Sequence, residues 1–395
     1  MQDPVTVPTD GDGGRERRVR RRRRETVGAW LDEWLAVHVE PKARDGELAA
    51  STVASYRGHV RRYLRPHLGT IRLDRLTAEH VTALYLLMGT PRSEGGLGLS
   101  VRTRELTHVT LRMALDRAVS LGRLERNVLA KGCGVDRPRV RRTRVRALEP
   151  AEAAAVLRAL RGSDGVAGRL FVPVALALAT GMRRGEILAL EVGDIALPGP
   201  EDEHGLGMIT VRRAWDKSDD PSRGRNPLAR YRMRAWPKSG RERYVDVPPE
   251  LVEILRTAIA EREVAREAAG RAWQTHAVRP DGSVLSWGEL LICDAQGRPW
   301  WPDSFSSAWH AWARTTGLDC RFHDLRATSG SLSLAGGADA EQVSARLGHH
   351  SAAFFLDHYA KPMHAARLRD AAIMGELVAR GVGSPDECQD DTPGP

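Results

Sequence analysis

The chain has 395 residues, room for two or three domains of ordinary size, and at 42% hydrophobic and 28% charged it is not a wholly disordered sequence. No apolar run approaches the roughly 20 residues of a membrane helix, the opening MQDPVTVPTDGDGG has no apolar leader core, and the four cysteines (Cys133, Cys293, Cys320, Cys388) form no CxxC pair. A membrane span, a secretory leader, a zinc ribbon and a disulfide framework are therefore not expected, and the chain reads as cytoplasmic.

The net charge of +9 favours an acidic partner. Arginine supplies 55 of the 60 basic residues, a bias that a GC-rich genome produces unaided. Codon usage does not explain the distribution. Residues 1–147 hold 30 basic and 17 acidic groups, whereas residues 148–395 hold 30 and 34. Positive charge gathered in one part of a chain points to nucleic acid.

Residues 1–25 are Pro/Gly/Asp-rich and then basic, with eight arginines between Arg15 and Arg24. They read as a disordered tail, either a solvated one or a basic arm for phosphates. Periodicity begins at Thr26: Val27, Trp30, Leu31, Trp34 and Leu35 share one helical face. A second helix is expected from Ser51 as N-cap, with Val53, Tyr56, Val60, Tyr63 and Leu64 inward and Pro66 near its end. A third is expected from Thr77 with Val81, Leu84 and Tyr85 inward, and a fourth from Ser100 to Gly122. Residues 26–136 thus read as a small all-helical domain with Arg57, Arg61, Arg62, Arg65, Arg102, Arg104 and Arg112 toward solvent. Residues 137–147 are a linker with six arginines between Arg137 and Arg146, read as a strap for a phosphate backbone.

A second domain is expected over residues 148–378, followed by a flexible tail, 379–395. Helical patterns cover 150–161, 168–179, 183–190, 249–269, 304–316, 324–335 and 339–347. Strand-like pieces at Met208–Arg212, around Arg234–Lys238 and at Tyr244–Val247 suggest one small sheet. The fold class is mainly α with a small antiparallel β-sheet: a helical domain followed by a mixed but mostly α one.

No Walker loop, GxSxG elbow or HExxH is present. His349 and His350 are adjacent, so they point apart on any regular element and are not read as chelators. Five short segments stand out together. Arg183 follows a Gly turn in ATGMRRGE; Lys238 sits in a turn between strands in WPKSGRERYVDVP; His323 and Arg326 share a helix face in FHDLR. His349 follows a helix-ending Gly in LGH, and Tyr359 comes ten residues later. Each alone has an ordinary structural reading, but the set in this order does not.

That set resembles the tyrosine site-specific recombinases, the phage integrases. The family shows an Arg in TGxRxxE, a Lys in a β-turn, HxxR, LGH and then a Tyr, matched here by Arg183, Lys238, His323 with Arg326, His349 and Tyr359. The block HDLRATSGSLSLAGGADAEQVSARLGHHS and the upstream TVGAWLDEWL, RPHLG, IRLDRLT and LSVRTRELTHVTLRMALDRAVSLGRLERNV extend the resemblance over roughly residues 26–375. Three departures stand beside it: Ala327 where a second His is common, Ala360-Lys361 where Gly-His is usual, and Phe354-Phe355 in place of a Thr pair. None falls on the six positions.

The resemblance implies a helical core-binding domain joined to a catalytic domain that cleaves and rejoins DNA through a 3′-phosphotyrosine. Arg183 and Arg326 would clamp the phosphate, Tyr359 attack it, His323 take the phenolic proton, Lys238 protonate the leaving 5′-oxygen and His349 donate a further hydrogen bond. Glu186 would brace the arginines. No cofactor and no metal is implied. The partners would be double-stranded attachment sites, three further copies of the chain in a tetramer on DNA, and accessory directionality or DNA-bending proteins. Two alternatives remain: an enzyme that cuts and reseals one duplex, as type IB topoisomerases and telomere resolvases do, and an inactive DNA-binding regulator on the same scaffold.

Overall fold

In the computed structural model the described residues are 25–348, apart from 46, 141–145, 200–204, 218–225 and 236–241. The Arg15–Arg24 run, the centre of the basic linker, Lys238, His349, Tyr359 and the carboxy-terminal tail lie outside them. The described residues form two compact units, 25–140 and 146–348.

The first unit is helical. Helix α1, Val27–Glu33, opens at Thr26, whose Oγ1 accepts the N–H of Ala29. It widens into a π-helical turn, Trp34–Val39, and continues as α2, Glu40–Arg44. The same sequence of events recurs: α3, Ala50–His59, then a π turn, Val60–Leu64, then α4, Arg65–Leu68. Each π turn lies just ahead of a proline, Pro41 or Pro66. A proline ring clashes with the carbonyl four residues back. Widening the turn, so that Glu40 N–H reaches Leu35 O and Arg65 N–H reaches Val60 O, carries the helix past that obstacle.

Helix α5, Ala78–Gly89, starts at Thr77 in a capping box with His80, and α6, Val101–Ser120, starts at Ser100, whose side chain accepts from Thr103 N–H. The expected inward residues Val27, Trp30, Leu31, Val60, Leu64, Val81 and Leu84 are all at most 3% exposed. Trp30 Nε1 donates to Ala114 O at 2.9 Å and so ties α1 to α6. One expected cap is corrected: α3 opens at Ala49, which is extended and makes no side-chain bond, leaving Ser51 exposed within the first turn. Of the expected solvent-facing arginines, Arg57 and Arg104 are half-buried, Arg57 on Glu40 at 2.7 Å.

The second unit begins with α7, Pro150–Arg161, α8, Gly165–Arg169, α9, Phe171–Thr180, and the single turn α10, Arg184–Ile187. The helix expected over 183–190 spans only Arg184–Ile187, and Leu188, Ala189 and Leu190, all buried, follow it outside the helix. Strands β1, Ile195–Ala196, β2, Gly207–Val211, and β3, Ala214–Lys217, follow, then α11, Pro227–Arg230, β4, Tyr231–Arg234, and β5, Arg243–Val247. The chain continues through α12, Pro249–Ala269, the hairpin of β6, His276–Val278, and β7, Val284–Ser286, then α13, Pro302–Thr315, α14, Asp324–Ala335, and α15, Ala340–Leu347.

The expected single sheet is corrected to three small antiparallel ones among the described residues: β1-β2-β5, with Ile209 opposite Val245, then β3-β4 and β6-β7. The strand expected around Arg234–Lys238 ends at Arg234 and pairs with β3 rather than β5. What holds β3-β4 is an aromatic cluster, with Trp215 edge-on to Trp301 at 5.2 Å and Tyr231 stacked on it at 5.7 Å. The apolar helix α9 lies at the centre of the unit, packed against α7, α12 and α14.

Candidate active site

Three segments distant in sequence meet at the carboxy-terminal end of α9. The first is the turn after that helix. Gly181 has φ of 68°, a left-handed conformation that stops α9, and a Cβ there would lie 2.1 Å from Leu347 Cδ2. The turn delivers Arg183 to the N-cap position of α10. Its N–H and its Nη1 both donate to Glu186, at 2.8 and 2.9 Å.

The second segment is the start of α14. Asp324, buried, accepts the N–H, Nε and Nη2 of Arg321, which fixes the entry to the helix. His323 stands at the N-cap, where it lines a cleft, and Arg326, 2% exposed, points inward from the first turn. Arg326 Nη1 donates to Gly181 O at 2.7 Å, and its Nη2 donates to Leu347 O.

The third segment is the end of α15, where Gly348 turns left-handed at φ of 67°. The last carbonyls of a helix have no partner within it. Here three consecutive ones are each taken by a different arginine: Arg346 O by Arg243 Nε at 3.0 Å, Leu347 O by Arg326, and Gly348 O by Arg183 Nη2 at 2.9 Å. Cations at that end also complement the helix dipole. His349 is the next residue in the chain.

Glu186 is the anionic centre of this cluster. Besides Arg183 it accepts both Nη atoms of Arg243, at 3.1 and 2.5 Å, a two-pronged pairing that the planar guanidinium fits. Burial works to raise its pKa, but the hydrogen bonds and charge of Arg243, with those of Arg183, outweigh it and hold the carboxyl at about 2. Loss of solvation, followed by the Arg326 charge, lowers the pKa of His323 below its ordinary value. A cleft of about 500 Å³ opens beside these groups, with Arg183, His310, Arg321 and His323 among its lining residues.

Of the six expected residues, Arg183, His323 and Arg326 are brought together. Lys238, His349 and Tyr359 lie outside the described residues. Glu186 braces Arg183, as expected. Two participants do not stand out in the sequence. Arg346 sends Nη1 to Ala179 O at 2.6 Å and Nη2 to Ser333 Oγ at 2.7 Å, locking α15 to α9 and α14. Arg243 carries one readable signal: in β5 it shares the inward face with Val245 and Val247, while Tyr244 and Asp246 face out.

The phage integrase family matches residues 146–365, more than half of the chain, and the chain belongs to that family. It is a tyrosine recombinase, as the motif set implied. Among relatives, an integrase of Streptomyces ambofaciens is 25% identical over 366 residues, covering 90% of this chain and 81% of the relative. One of Mycobacterium phage L5 is 25% identical, covering 88% and 77%. Among solved structures, the Tn1549 transposon integrase in complex with a circular intermediate DNA aligns with a TM-score of 0.65 at 16% identity, over 89% of this chain and 99% of that one. A lambda integrase tetramer bound to a Holliday junction aligns with a TM-score of 0.56 at 16% identity, over 87% and 83%. These two share the fold.

Proposed function

We propose that the protein is a site-specific integrase that cleaves and rejoins DNA through a 3′-phosphotyrosine, inserting or excising a phage or other mobile element. The observation that carries this reading is the convergence of Arg183 and Arg326 on the end of α15, one residue before His349.

A phosphodiester under attack gathers charge on its two non-bridging oxygens. Two guanidiniums held by fixed carbonyl partners can meet that charge without reorganising, the kind of preorganisation worth most in a water-poor cleft. His323 accepts the proton of the Tyr359 phenol, whose ordinary pKa of about 10 leaves it unreactive at neutral pH. Tyr359 oxygen bonds to phosphorus as the bond to the 5′-oxygen breaks. Lys238 gives that leaving oxygen a proton, and His349 donates to the phosphate. One phosphodiester is replaced by another of similar energy, so no ATP is needed, and the arginines provide the charge neutralisation a metal pair would otherwise supply. Reversal onto a new 5′-hydroxyl completes exchange. The lambda tetramer on a Holliday junction supports four protomers acting on two duplexes.

The test is a nicked duplex carrying the attachment site adjoining the gene, on which cleavage lets the short 5′-hydroxyl fragment diffuse away. The wild type should become covalently attached to the DNA. Tyr359→Phe, lacking one oxygen, should bind equally and form no adduct. An adduct with the Phe variant removes Tyr359 as the nucleophile.

A further inference from the structure

We propose that Arg243 is a positioning residue for strand cleavage: through Glu186 it sets the Arg183 guanidinium, and through the Arg346 carbonyl it sets the turn that leads into His349. The inference rests on the recombinase reading of this site and assigns a further residue to it.

Three observations carry it. First, Arg243 is almost wholly enclosed, with 9% of its side chain exposed, and its partners are a carboxylate with 1% exposure and a helix-end carbonyl. A buried cation so placed does not serve solubility or nonspecific DNA binding. Secondly, its two Nη atoms take both oxygens of Glu186, the same oxygens that accept the backbone N–H and the Nη1 of Arg183. With both oxygens held by the fork, the carboxylate cannot rotate or tilt without breaking a charged hydrogen bond. Thirdly, a Cβ on Gly348 would lie 3.3 Å from Arg243 Cδ, so the arginine stem is the floor on which the left-handed turn before His349 rests.

Arg243 also opens β5, five residues after Lys238 in the sequence. One side chain therefore joins the strand that follows the proposed acid, the loop of Arg183 and the helix end before His349. Arg183 and Arg326 are held by the same helix end, so an error there reaches both arginines. Misplacement of such groups by about 1 Å commonly costs about 10²-fold in rate.

The experiment uses the full chain and the nicked attachment-site duplex. The variants are Arg243→Gln, Arg243→Lys, Glu186→Gln and the Arg243→Gln/Glu186→Gln pair. For each, single-turnover adduct formation at saturating protein is measured beside DNA affinity. Arg243→Gln should slow adduct formation by about 10²-fold with affinity changed less than about threefold. Arg243→Lys, which keeps the charge and loses the fork, should recover part of the rate. The double variant should be slower than wild type by less than the product of the two single losses, because both changes break the shared Arg243–Glu186 link.

Adduct formation by Arg243→Gln within about threefold of wild type overturns the proposal, as do rate losses that multiply in the double variant. If Arg243→Gln does not fold, Arg243→Lys decides: a folded Lys variant with wild-type rate refutes the role of the fork. A wild type that forms no adduct refutes the recombinase reading itself, whereas an active wild type with an equally active Arg243→Gln refutes only the assignment of Arg243.

Discussion

A base can take a proton only while it lacks one. His323 has its pKa lowered, first by lost solvation and then by the charges of Arg326 and Arg183. In the free protein its neutral form therefore predominates at pH 7, the form that the proposed role as base requires. The sign of the pH dependence follows. As pH falls below the lowered pKa, His323 charges and the second-order rate of adduct formation, kcat/KM, should drop about tenfold per pH unit. The acid limb should have its midpoint below 6.5, the ordinary value. A limb centred above pH 7 would deny His323 the role of base. His323→Asn should abolish the limb along with most of the rate.

The helices of the first unit carry their own titration. His59 on α3 is 6% exposed and bonds Thr110 of α6 through Nδ1 at 2.8 Å, and burial, with Arg62, lowers its pKa to about 4. Between pH 6.5 and 4 the unfolded chain binds a proton that the folded chain refuses, so stability falls as pH falls through that window and is full above it. From pH 7 to pH 5 the loss from this group should be about 2 kcal/mol. Urea titrations at the two pH values should show that loss in the wild type, and His59→Gln should be less pH-sensitive by that amount. An unchanged pH sensitivity would mean that His59 does not stay neutral in the fold.

The helices are legible in the sequence because each buries one stripe. Trp30, Leu31, Trp34 and Leu35 fall at helical spacing and pack as that spacing says. The strands are less so. The four-residue strands β3 and β4 owe their place to the rings of Trp215, Tyr231 and Trp301, contacts that no local period records. The site divides likewise. Arg183, His323 and Arg326 stand in motifs and are readable from them. Arg243 acts through partners 57 and 103 residues away in sequence, so its sign in the chain is only an arginine on the inward side of an alternating strand.

For the whole molecule the distribution of charge matters more than its sum. Residues 137–147 and the Arg15–Arg24 run are both rich in arginine, yet their consequences should differ. If the linker lies on core-site phosphates in every complex, replacing Arg139 and Arg142 by Gln should weaken binding to any duplex. It should also reduce the slope of log K against log salt by about 0.9 for each phosphate no longer neutralised. Deleting residues 1–24 should leave cleavage of a short core-site duplex nearly unchanged and weaken assembly on longer DNA. Salt titrations of both variants beside cleavage of the short duplex separate the cases. Abolished cleavage after the deletion would place the tail within the catalytic assembly.

The arginine-capped end of α15 has a consequence for how the protein is made. The bonds that fix Arg183 and Arg326 reach partners 165 and 145 residues away. Ribosomes add about 5–20 residues per second. Arg183 therefore exists for about 10–30 s before the carbonyl that orients it has been synthesised. The core of the helical unit, by contrast, is made among the described residues between Val27 and Leu129. A ribosome-bound chain can therefore complete the helical unit while the arginine cluster of the second unit is still unassembled. Premature termination before Leu347 removes the carbonyls on which Arg183 and Arg326 rest, so the arginine cluster should not form in the shortened chain.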